Sequence, residues 1–264
     1  MLTHAGRPSG GLPSSGSICR LWLTSLLRPG FLPSPDLLSS TKMSIAENLA
    51  RIRERIVAAC QRAGRSPDDV TLVGVSKGFA AEAVAEACDA GLRDLGENRV
   101  QEAAAKIEAL AAPGRRPRWH LIGHLQTNKA KTAAGLFAII HSVDSIRLAQ
   151  ALSRQAQEAV PILLEVNAAQ EASKFGFAPR EVVGALREIA PLPNIDVRGL
   201  MTMAPLAEEP ESVRPVFRCL RKLGDALDLR ELSMGMTDDF EVAIEEGATM
   251  VRIGRAIFGP RPEA

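Results

Sequence analysis

Tyrosine is missing from all 264 residues, so no phenol is available for proton transfer anywhere in this sequence. Cysteine is scarce: Cys19, Cys60, Cys88 and Cys219 are scattered, with no CxxC pair. That argues against a disulfide framework and against a structural zinc, and it points to a reducing, cytoplasmic compartment. Excess charge is missing too. With 32 basic and 31 acidic residues the formal net charge is +1, and no basic stripe stands out, so nucleic acid is not an expected partner. No apolar run approaches the ~20 residues that span a bilayer, so no membrane segment is expected. What is present is a 46% apolar chain, enough for a sizeable core. At this length it forms one large domain or two small ones, and barrels of alternating strand and helix reach this size as a single unit.

Residues 1–42 differ from the rest. They are rich in Gly, Pro and Ser, lack sustained periodicity and contain one acid, Asp36. The basic, apolar stretch 20–32 resembles part of a targeting peptide, but Pro8, Pro13, Pro29, Pro33 and Pro35 interrupt any long helix. The reading preferred over targeting is a disordered, dispensable extension, with Met43 as the functional start. From Ser44 the pattern is regular. Ile45, Leu49, Ile52, Ile56 and Ala59 recur at spacings of three and four, Ser44 and Glu47 have capping-box spacing, and Gly64 and Pro67 end the helix. Short apolar strand candidates follow at 70–76, 93–96, 118–121, 137–141, 161–166, 195–200, 230–233 and 249–253, separated by helical stretches such as 145–159 and 180–190. Strand–helix alternation predicts parallel pairing with right-handed crossovers. Eight strands favour a closed (βα)8 barrel spanning 43–264, with a doubly wound open sheet as the alternative. Little chain follows the eighth strand, so helix 44–63 is expected to cover the seam between the first and eighth strands.

In such a barrel the chemistry sits at the C-terminal ends of the strands. Those ends carry Lys77, Asn98, His120, Asn167, Met201, Ser233 and Arg252. Lys77 follows the apolar run VTLVGVS. At an apolar rim a lysine sheds hydration, which favours the neutral amine that attacks an aldehyde; the alternative is a solvated lysine at a strand end. Ser233-Met-Gly235-Met-Thr237 leads from strand to helix, with Asp238 and Glu241 at capping-box spacing. The next strand exits through Arg252-Ile-Gly254-Arg255. Two adjacent glycine-containing exits suit a phosphate held after the seventh and eighth strands, or else they are two ordinary turns. His120 and His124 have the spacing of a helical metal pair, but Gly123 intervenes and no third ligand lies close in sequence, so no metal is expected. Arg115, Arg116 and Arg118, in a Pro/Gly loop, read as solvated surface.

Seven ordered blocks carry a family resemblance: VGVSK (73–77), GENRVQE (96–102), HLIGHLQTNK (120–129), HSVDS (141–145), NAAQEASKFG (167–176), GLMTMAP (199–205) and LSMGMTDDFEVAIEEGATMVRIGRAIFG (232–259). Together they resemble the pyridoxal-phosphate homeostasis protein family, in register from about Ser44 to Arg261. The resemblance implies a single (βα)8 barrel of the alanine-racemase N-terminal type with pyridoxal phosphate as cofactor. It implies that Lys77 carries the cofactor as a Schiff base. Ser233, Gly235, Thr237, Gly254 and Arg255 match the phosphate cup, and Arg252 matches the position near the pyridine nitrogen. Asn98, His120, Asn167 and Met201 match positions lining the mouth. Two departures stand out. No proline follows Lys77 shortly, which is expected to loosen that loop, and Arg99 stands where the family often has Tyr after its GEN motif.

The family's implied role is to buffer or deliver the cofactor, with recipient apo-enzymes as candidate partners, and to influence vitamin B6 and amino-acid balance. Two alternatives compete: a pyridoxal-phosphate racemase or decarboxylase, and a cofactor-free Schiff-base aldolase. Racemisation needs two acid–base groups on opposite faces. In the related racemases one is a Tyr from a second domain; here tyrosine is absent and the sequence ends soon after the barrel, so slow or no turnover is expected.

Overall fold

The computed structural model describes residues 43–111, 116–171 and 174–260. The expectations for residues 1–42, for Arg115 and for the last residues, 261–264, lie outside these. The first element is helix α1 (Ile45–Arg62). Its N-terminus closes as a capping box: the Ser44 hydroxyl accepts from the Glu47 N–H at 3.2 Å, and the Glu47 carboxylate accepts from the Ser44 N–H at 2.8 Å. Its apolar stripe, Leu49, Ile52, Ile56, Ala59 and Cys60, is buried; each large member contributes about 1.5–3 kcal/mol by leaving water.

Eight strands alternate with helices: β1 (Thr71–Val75), α2 (Ala81–Asp89), β2 (Asp94–Glu97), α3 (Val100–Ala109), β3 (Arg118–Leu121), α4 (Ala130–Leu136), β4 (Ile139–Val143), α5 (Ile146–Gln155), β5 (Val160–Glu165), α6 (Val182–Ile189), β6 (Ile195–Met201), α7 (Arg214–Leu227), β7 (Glu231–Ser233), α8 (Phe240–Glu245), β8 (Met250–Ile253) and α9 (Arg255–Phe258). All neighbours pair in parallel and the sheet closes. At the closure Val73 stands opposite Arg252 and Gly74 opposite Ile253. The open-sheet alternative is thereby excluded. Strand β4 starts two residues later than its apolar run suggests, so His141 lies inside it rather than at its end.

The seam is covered as expected. Helix α1 packs on α2, α8 and α9, and the Asn48 side chain donates to the Ile257 carbonyl at 2.9 Å. Arg55 pairs with Glu241 at 3.0 Å and stacks over Phe240. Among the described residues, the chain after β8 adds the four-residue α9. Most of the core lies between sheet and helices. A smaller apolar cluster, Val73, Ile139, Leu163, Met201 and Met250, fills the barrel interior. Side chains alternate along a strand, so these five define the inward parity of β1, β4, β5, β6 and β8.

Candidate active site at the barrel mouth

Val73 faces inward on β1, and Lys77 follows two residues after the strand ends at Val75, in the turn it shares with Gly78. Lys77 is half-buried and makes no hydrogen bond or ion pair among the described residues. The backbone on either side of it is anchored. Lys106 Nζ donates to the Ser76 carbonyl at 2.7 Å, to Glu97 Oε1 at 2.6 Å and to Glu102 Oε1 at 2.8 Å. The Gly78 N–H donates to Glu102 Oε1 at 2.6 Å, and the Ser76 hydroxyl donates to Glu97 Oε1 at 2.6 Å. Phe79 stacks on Phe258 with ring centroids 5.1 Å apart. The loop without proline is therefore held by α3 and α9 rather than left loose. Sequence reading missed Glu97, Glu102 and Lys106, although the first two stand in the GENRVQE block and Glu102 and Lys106 have helical i,i+4 spacing.

The exits of β7 and β8 adjoin that of β1. A Cβ on Gly254 would lie 3.1 Å from the Val75 carbonyl oxygen, so the β8 turn passes directly against the strand that carries Lys77. Gly235 has φ +92°, and a Cβ there would lie 2.6 Å from Ala243 Cβ. Only glycine lets this turn run so close to α8. Thr237 is half-buried beside it. The expected Asp238–Glu241 capping box does not form: Asp238 pairs with Arg255 at 2.7 Å, Glu241 pairs with Arg55, and the buried Asp239 instead accepts the Met236 N–H. Burial pushes the Asp239 carboxyl above its ordinary pKa.

Beneath the mouth a hydrogen-bonded chain crosses the barrel interior. Arg252 donates to the Ser233 hydroxyl and, at 2.8 Å, to the Thr202 carbonyl. Ser233 Oγ lies 2.8 Å from His141 Nδ1, His141 Nε2 lies 2.9 Å from His120 Nδ1, and His120 Nε2 lies 2.9 Å from Asp94 Oδ1. Arg118, at the opposite rim, closes on Asp94 at 2.7 Å. The ends set the direction. Arg252 can only donate, so the single Ser233 proton goes to His141 Nδ1; His141 then donates from Nε2 to His120, and His120 from Nε2 to the carboxylate. His141 is neutral in this arrangement. Burial, reinforced by His120 and Arg252, holds His141 well below its ordinary pKa. Burial alone would raise Asp94, but the hydrogen bonds from His120 and Arg118 hold it below the usual value.

Glu165, at the end of β5, is buried and pushed up to about 7 by burial and by Asp144, with Arg252 opposing. Arg252 in turn is lowered to about 10 by burial, opposed by Asp239 and Glu165.

The structure thus brings Lys77, Gly235, Thr237, Arg252, Gly254 and Arg255 to the adjoining exits of β1, β7 and β8. Ser233 and His120 lie below, inside the chain just described. Met201 belongs to the interior apolar cluster. Asn98 is half-buried at the β2 exit. Asn167 spends its amide on its own loop, bonding Glu171 at 2.8 and 3.1 Å. His124 is not paired with His120 but with Asp144 at 3.0 Å. Sequence reading passed over Asp94, His141, Thr202 and Glu165. Inward parity was the signal for three of them, since His141 shares the face of Ile139, Glu165 that of Leu163, and Asp94 that of Gly96.

Residues 47–262 match the family described as alanine racemase, N-terminal domain. The pyridoxal phosphate homeostasis protein of Aquifex aeolicus is 46% identical over 228 residues, covering 83% of this chain and 99% of that one. That of Pseudomonas aeruginosa is 46% identical over 225 residues, covering 83% and 96%. The chain belongs to the pyridoxal phosphate homeostasis protein family. Among solved structures, that of PipY from Synechococcus elongatus with pyridoxal phosphate bound is 37% identical, with TM-score 0.72 over 82% of this chain and 100% of that one. An alanine racemase of Clostridium difficile, 18% identical with TM-score 0.64 over 83% of this chain and 56% of its own, shares the fold. No helix among the described residues is long and apolar enough to cross a membrane.

Proposed function

We propose that this protein holds pyridoxal phosphate at the barrel mouth as a Schiff base on Lys77 and serves vitamin B6 and amino-acid homeostasis in the cytoplasm without turning amino acids over. One observation carries the reading: Lys77 is the half-buried, unengaged amine at the mouth, on the strand that lies against the Gly254 turn. Lys174, the rival lysine, is occupied by Glu171 at 2.6 Å and by the Met203 carbonyl at 3.3 Å. The relatives' names and the cofactor in PipY support the same ligand.

The residues fit the group. Gly235 and Gly254 let the two turns pack tightly on α8 and β1, and the Arg255 and Ala256 N–H groups, which open α9 ahead of its first internal hydrogen bonds, would supply donors for a phosphate together with the Thr237 hydroxyl and Arg255. Arg252, fixed by Ser233 and Thr202, offers a cation for the pyridine side. Asn98 and Asn167 stand at the β2 and β5 exits, and Met201 and His120 lie deeper. When bound, the cofactor supplies an aldehyde carbon that condenses with a primary amine. The protein's own part is to position the Lys77 amine, to anchor its flanks through Lys106 and Glu102, and to neutralise the phosphate. Exchange of the held group to apo-enzymes is the expected onward step.

The racemase alternative needs a second acid–base group on the opposite face. Tyrosine is absent, and both ring nitrogens of His120 are engaged, by Asp94 and His141. Borohydride trapping and peptide mapping are expected to label Lys77, and an unlabelled Lys77 with labelled Lys174 overturns the assignment. A purified protein without imine absorbance would favour the aldolase. Sustained α-deuterium incorporation into amino acids at about one per second, abolished by Lys77→Ala, would establish an enzyme.

A further inference from the structure

On the side wall of the barrel, remote in sequence from β1, β7 and β8, the charge balance of the chain breaks down. Between Thr127 and Gln157 there are four cations, Lys129, Lys131, Arg147 and Arg154, against the single acid Asp144. Asp144 is committed to His124 at 3.0 Å. Helices α4 and α5 themselves contain no acidic residue. On α7, by contrast, Arg214, Arg218 and Arg221 converge on Glu246.

This basic stretch folds around a concavity. An open cavity of about 470 Å³ lies between the turn that precedes α4 and the outer face of α5, lined by Thr127, Asn128, Lys131, Arg147, Arg154 and Gln155. Lys131, Arg147 and Arg154 make no ion pair or hydrogen bond among the described residues. Arg147 and Arg154 leave α5 two turns apart, about 10 Å along the axis. The small, buried Ala151 stands between them and leaves the space open. Size and chemistry agree on the ligand. The volume is that of a small-molecule site, on the order of 300–1,000 Å³, but the lining is cationic and amide-bearing rather than apolar. Guanidinium forks pair with phosphate oxygens through two parallel hydrogen bonds. A single phosphate satisfies one fork; two forks and an ammonium call for a ligand with at least two.

We propose that this cavity binds a small phosphate-rich molecule, a diphosphate or larger, at a site separate from the barrel mouth. The three cations share one concavity with no counter-charge, so a polyvalent anion relieves their repulsion while gaining directional hydrogen bonds. Thr127, Asn128 and Gln155 add neutral polar contacts around it.

The test uses the full chain, first saturated with pyridoxal phosphate so that any phosphate site at the mouth is filled. Inorganic pyrophosphate is then titrated at physiological salt, followed by calorimetry and by backbone amide shifts. The expected result is saturable binding of one equivalent, with shifts confined to residues 127–131 and 147–155. The Arg147→Glu/Arg154→Glu double variant should lose at least about tenfold in affinity, since each charge-assisted hydrogen bond to a phosphate contributes that much. Arg187→Glu, at an exposed arginine of α6 outside the cavity, should bind as the parent does. Melting curves of the variants check that both stay folded. Absence of saturable binding overturns the proposal, as do shifts spread over unrelated basic surface or equal losses in both variants. Affinity for an oligonucleotide that far exceeds that for pyrophosphate and grows with length overturns it too, in favour of a polyelectrolyte surface.

Discussion

Lys106→Met is expected to destabilise the barrel strongly and to do so more at high pH than at low. Methionine keeps the length of the side chain and removes the charge. The side chains of Lys106 and Glu97 are 7% and 0% exposed, and the amine makes three bonds. Removing one partner of a buried pair costs about 3–5 kcal/mol, because the other charge stays behind. Glu97 has no reserve, since its Oε2 already lacks a hydrogen-bond partner. At about 2–4 °C per kcal/mol for a domain of this size, the melting temperature should fall by roughly 10 °C. Burial raises the Glu97 pKa even with Lys106 and Ser76 pulling it down, and without Lys106 it rises further. A carboxyl raised in the folded state carries no penalty below its unfolded pKa, about 4.3, and a growing one as pH climbs toward the folded value. The loss should therefore be small near pH 5 and full at pH 8, and Glu97→Gln should rescue much of it. Cofactor retention should fall as well, because the Ser76 carbonyl beside Lys77 loses its anchor. Urea and thermal denaturation at both pH values test this. A loss below about 1 kcal/mol, the size of an exposed pair, or one equal at both pH values, refutes the reasoning.

Gly254→Val should force its side chain against the Val75 carbonyl and Cβ, 3.1 and 3.3 Å from the new Cβ. The cost is about 1–3 kcal/mol of stability together with weaker cofactor retention, measured by dialysis and absorbance; unchanged retention counts against the phosphate site. Glu165→Gln should stabilise the protein increasingly from pH 5 to pH 7.5, because a carboxyl raised to about 7 costs up to about 3 kcal/mol once ionised; a gain independent of pH contradicts this. His141 should stay neutral with its proton on Nε2 between pH 5 and 8, as read by nitrogen NMR; a titration midpoint near the ordinary ~6.5 would break the assigned direction of the buried chain.

The strand positions were legible because apolar runs bounded by helix patterns are a local signal, and all eight runs became strands. The capping box at Ser44 was legible for the same reason. The polar interior was harder to read. His141 sits within an apolar run, and only the closure of the barrel brings it to Ser233, 92 positions away. Ser233 read as a hydroxyl for phosphate, yet in the folded chain it is fully buried between Arg252 and His141. Asp238 had capping spacing, but Arg255 takes it, a long-range competition that local spacing does not encode. Lys106 looked like one more helical lysine until α3 packed it against Glu97.

Closure at the seam has a consequence for biosynthesis. Helix α1 is made first, but much of the surface it covers, α8 and α9, is made last. Its stripe of Leu49, Ile52 and Ile56 must therefore wait through nearly the whole of translation, and β1 must wait equally long for β8. At about 5–20 residues per second, the roughly 180 residues separating α1 from α8 take on the order of ten seconds or more to appear. During that interval the nascent chain shows a greasy helix and an unpaired strand edge to the ribosome surface and to chaperones, and its last stretch acts as the clasp that ends the exposure.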